Sequence, residues 1–206
     1  MNYWSQAETE FFINITTDKP NQFSVGTNWA FYIKRLMDCE AFDLVKDYQP
    51  AQGGREVRGY VDQSGYSYIY LRRTLSEAQE AEFQQEKAKL PPLVEEQTEY
   101  KAGVGERETV IHVEKDSSYW MRIGTDMAVW IRQLEVHPYA VLIKEQLYSN
   151  VEVDSDGNEI PNEEGGDFSN RHRTYLMPRH LLSIRKARRK LTEAQKQVLR
   201  DRIGIS

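Results

Sequence analysis

IGTDMAVWIRQL, residues 123–134, and VGTNWAFYIKRL, residues 25–36, are one stretch written twice. A shift of 98 positions sets Gly26 on Gly124, Thr27 on Thr125, Ala30 on Ala128, Ile33 on Ile131 and Leu36 on Leu134. The replacements between these matches are mild: Asn28 for Asp126, Tyr32 for Trp130, Lys34 for Arg132. The register runs without a gap from Phe11/Thr109 to Asp47/Glu145 and takes in Ile13/Ile111, Asp18/Asp116 and Leu44/Leu142. A second block, Arg72 to Gln79 (RRTLSEAQ), recurs as Arg188 to Gln195 (RRKLTEAQ) at an offset of 116, which leaves 18 additional residues in the second copy. An internal repeat outranks every local signal in deciding architecture.

Each copy alternates apolar and polar residues where strands are expected and switches to helical spacing after its Gly-Thr pair. In copy one, Glu10–Thr16 (EFFINIT) and Gln22–Val25 read as strands, with Thr27 or Asn28 capping a helix to about Asp38. Trp29, Ile33, Leu36 and Met37 share one face of that helix, beside Tyr32 and Ala30. Ala41–Gln49 reads as a strand. Arg55–Val61 and Tyr66–Arg72 read as a hairpin, and Ser76 with Gln79 as a capping box that opens a helix to about Leu90. Copy two repeats the plan: strands at Thr109–Glu114, Tyr119–Ile123 and Ala140–Gln146, and a helix capped by Thr125 or Asp126 that stops before His137-Pro138. Its last elements are a strand at Arg171–Met177, a basic connector over 178–190 and a capped helix over Thr192–Arg202.

The expected fold is therefore α+β: two tandem β-β-α-β-β-α repeats, each with a small antiparallel sheet, facing one another about a pseudo-twofold axis as two chains of a homodimer do. The boundaries are 10–90 for the first repeat, 91–107 for a Pro- and Gly-bearing linker, and 108–206 for the second repeat, with an inserted hairpin at 150–170.

Composition narrows the class. The 206 residues are 39% apolar and 29% charged, with 12 Tyr and 4 Trp, which suits a folded domain and not a disordered one. No apolar run reaches the ~18 residues of a membrane span. The N-terminus lacks the basic start and apolar core of a signal peptide. The single cysteine, Cys39, excludes an internal disulfide and fits a reducing compartment, with the bacterial cytoplasm as the expected location. The net charge of −5 is an average over an acidic body and a basic end, because residues 171–206 hold 11 Lys/Arg against Glu193 and Asp201. That asymmetry points to a polyanion, an acidic partner or the protein's own acidic surface as the counterpart.

The second copy carries a recognisable pattern. Glu108, Thr109 and Ile111 open it, and Pro178, Arg179, Leu182, Ile184, Arg185, Arg188, Leu191, Thr192 and Gln195 close it. This resembles a class of short phage and prophage proteins with an ETxI opening and a Pro-Arg tail. The resemblance implies a phage-type origin and brings no activity with it.

The strongest local signal is the basic connector with its neighbours: Arg171, Arg173, Arg179, Arg185, Lys186, Arg188 and Arg189. Guanidinium groups at this density can follow phosphates, with Tyr175 and His180 available to stack on bases. They can equally neutralise the acidic body. Tyr66, Tyr68 and Tyr70 fall on one face by alternation and lead into Arg72-Arg73, as a stacking platform or as sheet packing. Asp154 to Asn158 fails the calcium-loop pattern at its sixth and twelfth positions, and Glu99-Tyr100-Lys101 lies in the linker. His112, His137, His172 and His180 show no ligand spacing, so no metal, cofactor or catalytic set is expected.

Two functions follow. One is a non-enzymatic interaction protein engaging a host or phage protein, for instance as an inhibitor of a host defence or nucleic-acid enzyme. The alternative is a nucleic-acid-binding accessory protein acting through the basic connector. Either could work as a pseudo-dimer or a homo-oligomer.

Overall fold

A computed structural model describes residues 10–49, 54–64, 66–98, 107–114, 119–148 and 168–187. Its strands are β1 (Glu10–Thr16), β2 (Gln22–Thr27), β3 (Phe42–Tyr48), β4 (Glu56–Asp62), β5 (Ile69–Leu71), β6 (Val94–Thr98), β7 (Glu108–Glu114), β8 (Trp120–Met127), β9 (Val141–Tyr148), β10 (Phe168–Pro178) and β11 (Leu182–Ile184). The helices are α1 (Ala30–Met37), α2 (Glu77–Lys87) and α3 (Ala128–Glu135). The class is α+β, with one nine-stranded, mostly antiparallel sheet ordered β3-β4-β2-β1-β7-β8-β10-β9-β6 and a separate ribbon of β5 and β11.

Two small sheets facing each other were expected, and one continuous sheet is found. The join is β1 against β7, antiparallel, with Ile13 opposite Ile111 and Phe11 opposite Val113. This pairing satisfies the backbone groups of two strands that would otherwise each be an open edge. Phe11, Ile13 and Ile15 alternate with Phe12 and Asn14, so every second side chain of β1 enters the core, and all three are fully buried. Each such burial is worth about 1.5–3 kcal/mol. One hydrophobic cluster draws Ile13, Val25 and Leu36 from the first half together with Ile111, Ile123 and Leu134 from the second.

The eight-residue helices α1 and α3 are too short to stand alone and depend on docking. α1 buries Tyr32, Ile33 and Leu36, whereas α3 buries Ala128, Ile131 and Leu134. Met37, expected on the buried face, is exposed. The expected caps also act differently. β2 continues to Thr27 and β8 to Met127, so Trp29 and Met127 become the N-caps, without a side-chain cap bond. Thr27 Oγ1 accepts from Trp29 N at 3.0 Å and donates to the Glu10 carbonyl, while Asn28 Oδ1 accepts from Glu10 N at 2.8 Å. In the second half Thr125 Oγ1 accepts from Met127 N at 3.1 Å and Asp126 Oδ1 from Glu108 N at 2.9 Å. The polar residues at each helix start thus tie it to the neighbouring strand.

Three further differences concern connections. The hairpin expected from residues 55–61 and 66–72 does not form: β4 pairs with β2 and β3, and β5 pairs with β11. Asp62 accepts hydrogen bonds from Ser64, and Gln63 Oε1 takes the amides of Tyr68 and Ile69, which turns the chain out of the sheet. Within the expected linker, β6 adds to β9 as a parallel strand. The basic connector folds into a 3-10 turn at Arg179–Leu181 followed by β11. The Ser76–Gln79 capping box is present, and α2 ends at Lys87. The insertion as far as residue 167, the turn over 116–118, Glu99-Tyr100-Lys101 and the closing helix over 192–202 lie outside the described residues. No helix among the described residues is long and apolar enough to cross a membrane.

Candidate functional site, an arginine-aromatic cleft

The 3-10 turn and β11 carry the second half's basic residues across to α1. Between them lies a cleft of about 540 Å³ lined by Trp29, Phe31, Tyr32, Arg35, Arg72, Arg179, His180, Leu182 and Ser183. Arg179 is fixed by its backbone N–H to the Tyr119 carbonyl at 2.9 Å, and its guanidinium sits 5.6 Å from the Trp29 ring centroid. Arg35, one helical turn along α1, lies 4.4 Å over Phe31. Arg72 donates through Nη2 to the His180 carbonyl and through its backbone N–H to Leu181 O at 2.9 Å. Trp29 and Phe31 each pack edge-to-face on Tyr32 and are tilted to one another, and Tyr32 stacks on Phe11 at 4.2 Å, so core packing holds the aromatic wall.

The ribbon extends this surface. Ser183 pairs with Tyr70, which puts their side chains on one face, with Arg72 and Arg185 two residues further along their strands. Arg185 lies 4.0 Å over Tyr70 and 5.1 Å over Tyr66.

Charge at the site is one-sided. No carboxylate lines the cleft among the described residues. Burial pushes the Tyr70 hydroxyl up, but hydrogen bonds with Arg185 and Ser183 and the charges of Arg185 and Arg72 outweigh it, leaving the group below its ordinary value. Burial holds Tyr32 above its ordinary value although Arg179 and Arg35 pull it down. Burial, with Arg72 and Arg179 nearby, keeps His180 below its ordinary value, partly offset by Glu82.

The other sequence-derived candidates divide. Arg171 and Arg173 both bond Glu145, at 3.2 and 2.6 Å, and Arg173 also reaches Glu135. Burial raises the Glu145 carboxyl and these guanidiniums more than reverse it, so it stays below its ordinary value. Lys186 pairs with Asp38 at 2.8 Å. These three cations neutralise acidic groups of the body. Tyr175, expected to stack on bases, points into the core opposite Ile123 and is 2% exposed, because strand alternation places it with Met177 and not with Leu176. Tyr68 is also buried and donates to Glu40 Oε1 at 2.6 Å; it meets Arg185 through its backbone carbonyl, whereas Tyr66 and Tyr70 present their rings to the Arg185 guanidinium. Arg188 and Arg189 lie outside the described residues. No cluster of three metal-ligating side chains occurs among the described residues. Cys39 is buried and free, with burial raising its thiol.

Sequence reasoning assigned Trp29 and Tyr32 to the core and passed over Phe31 and Arg35. A signal was present: at the 98-residue offset, Trp29, Phe31 and Arg35 face Met127, Val129 and Gln133, so the cleft residues are positions where the two copies differ in chemistry. Comparison with protein-family models, with curated proteins and with solved structures finds no match to this chain.

Proposed function

We propose that the chain is a non-enzymatic binding protein whose cleft and adjoining ribbon hold single-stranded nucleic acid. The observation that carries this reading is the continuity of Arg35, Arg72, Arg179 and Arg185 with Trp29, Phe31, Tyr66 and Tyr70 along one surface. Guanidiniums track phosphates, while ring faces accept bases of any sequence. The test is fluorescence anisotropy with a labelled single-stranded oligonucleotide. Binding that is weakened by Arg185→Gln and by Arg179→Gln supports the reading. Affinity indifferent to both substitutions, or absent, ends it.

A second reading, an interaction protein acting on a host or phage protein such as a defence enzyme, is favoured by one observation. β3 is an edge strand of the sheet and leaves Leu44, Val45 and Tyr48 exposed. Exposed apolar side chains on such an edge suit a partner surface. A nuclease-resistant complex from host lysate that Val45→Glu abolishes would favour it.

We also infer that a half-length unit was duplicated and fused, giving two β-β-α-β-β-α units about a pseudo-twofold axis. Four observations support this. Ile13 and Ile111, equivalent at the 98-residue offset, oppose each other at the join. The Asn28–Glu10 and Asp126–Glu108 bonds are equivalent at the same offset. Register shifts fall between Leu44 and Lys46 of β3 and between Leu142 and Lys144 of β9. The Arg55–Asp47 and Arg171–Glu145 pairs match once the 116-residue offset is applied to the arginines. Experimental coordinates in which the two halves do not superimpose would remove this inference. A phage-type origin and a bacterial cytoplasmic home belong to the same proposal, resting on the tail pattern and the lone buried thiol.

A further inference from the structure

We infer that the cleft is a seat for a single nucleotide unit, with the base against the aromatic wall of α1 and a phosphate monoester among Arg35, Arg72 and Arg179. This deepens the proposed function and rests on it only in taking the cleft as an anion site.

Size gives the first argument. About 540 Å³ lies within the ~300–1,000 Å³ of small-molecule sites and leaves room for one nucleotide.

Wall chemistry gives the second. One side carries the rings of Trp29 and Phe31 over buried Tyr32, with Arg35 one turn along α1, and the other offers Arg72, Arg179, His180 and Ser183. A mononucleotide has this same division, a planar ring at one end and a dianion at the other. Arg179 over Trp29 and Arg35 over Phe31 show that both ring faces already receive planar cationic groups. A purine can take a ring face while the guanidinium turns to the phosphate, for which its fork of N–H donors is matched.

The third argument is electrostatic. Three guanidiniums gather with no lining carboxylate among the described residues, on a chain whose net charge is −5. An anion is the ligand that relieves this field, and a neutral nucleoside does not.

The test uses the full chain and isothermal calorimetry with adenosine monophosphate, adenosine and inorganic phosphate. The monophosphate is expected to bind one per chain, at least tenfold more tightly than either of the other two. Arg35→Gln is expected to weaken it by about tenfold without changing the circular dichroism, since Arg35 is exposed on α1. Monophosphate binding no tighter than phosphate alone overturns the inference. If a 20-nucleotide single strand binds with steep salt dependence while the monophosphate neither binds nor competes, the seat falls and the proposed function stands. If the monophosphate binds as expected and the strand does not, the seat stands and strand binding falls. Tighter binding of a 5′-phosphorylated strand than of its dephosphorylated form supports the seat with strand ends as the source. Monophosphate binding with equal affinity for the two strands supports it with free nucleotide as the source.

Discussion

Removing the ring of Phe83 should release α2 from the body. Phe83 is the one residue of α2 that is buried, at 2% exposed, and it meets Trp120 at 6.0 Å and Tyr139 at 5.2 Å, both edge-on. Truncating a buried Phe to Ala costs about 3–5 kcal/mol, of which two aromatic pairs account for about 0.5–1.5 kcal/mol each. The remainder of α2 cannot hold the position. Its eleven residues are too few to persist undocked, and the Ser76–Gln79 box contributes about 1 kcal/mol. The loss is therefore bounded by the docking free energy of α2, and about 3 kcal/mol is expected, which is on the order of a hundredfold in the opening equilibrium. Amide hydrogen exchange across 77–87 should accelerate by that factor in Phe83→Ala while β1 and β7 keep their protection. Ser76→Ala serves as the scale, with a cost about a third as large. Wild-type protection of α2 in Phe83→Ala, or a cost no larger than that of Ser76→Ala, would refute the view that one aromatic anchor holds this helix.

Three other outcomes are expected. If Arg35, Arg72, Arg179 and Arg185 each meet a phosphate, the single-strand affinity should fall about fiftyfold between about 50 and 200 mM salt, and Arg185→Gln should flatten the log–log slope by about 0.7. An alanine at Gly59 would drive its Cβ into the Asp43 carbonyl oxygen across the β3–β4 pair, so Gly59→Ala should cost at least about 2 kcal/mol in urea unfolding and raise exchange in β3. Burial holds His137, His172 and His180 below the ordinary 6.5, so the unfolded chain takes up protons first as pH falls. Their contribution is fully present above 6.5 and is lost as pH drops through the lowered values, so the urea midpoint should fall from about pH 7.5 to about pH 5, and less steeply in His137→Asn.

The elements were legible wherever period and burial agree. EFFINIT alternates and β1 alternates; AFYIKRLM carries its apolar groups at helical spacing and α1 docks through them. Pairing was less legible, because alternation tells which face a residue takes and not which strand lies beside it. β4 and β5 read as a hairpin from their spacing, yet Gln63 and Asp62 spend their side chains turning the chain away. β6 was hidden because Val94–Thr98 (VEEQT) is too polar to signal a strand and is ordered by pairing along β9. Thr27 and Asn28 are residue types that cap helices, and here they bond across to β1. The cleft was out of reach for a related reason. Arg72 and His180, which meet in it, stand 108 residues apart, and Trp29 has the same signature whether it faces the core or a groove.

The central pairing of β1 with β7 sets a timetable for the nascent chain. Glu10 and His112 meet at 2.5 Å across 102 residues of sequence, so β1, which can pair with β2 at once, keeps its other edge open until β7 has been made. During that interval EFFINIT presents an apolar open edge, the kind of segment that chaperones shield. The turn that delivers Arg179 and His180 emerges later still, so the cleft is completed only after β7 has been made.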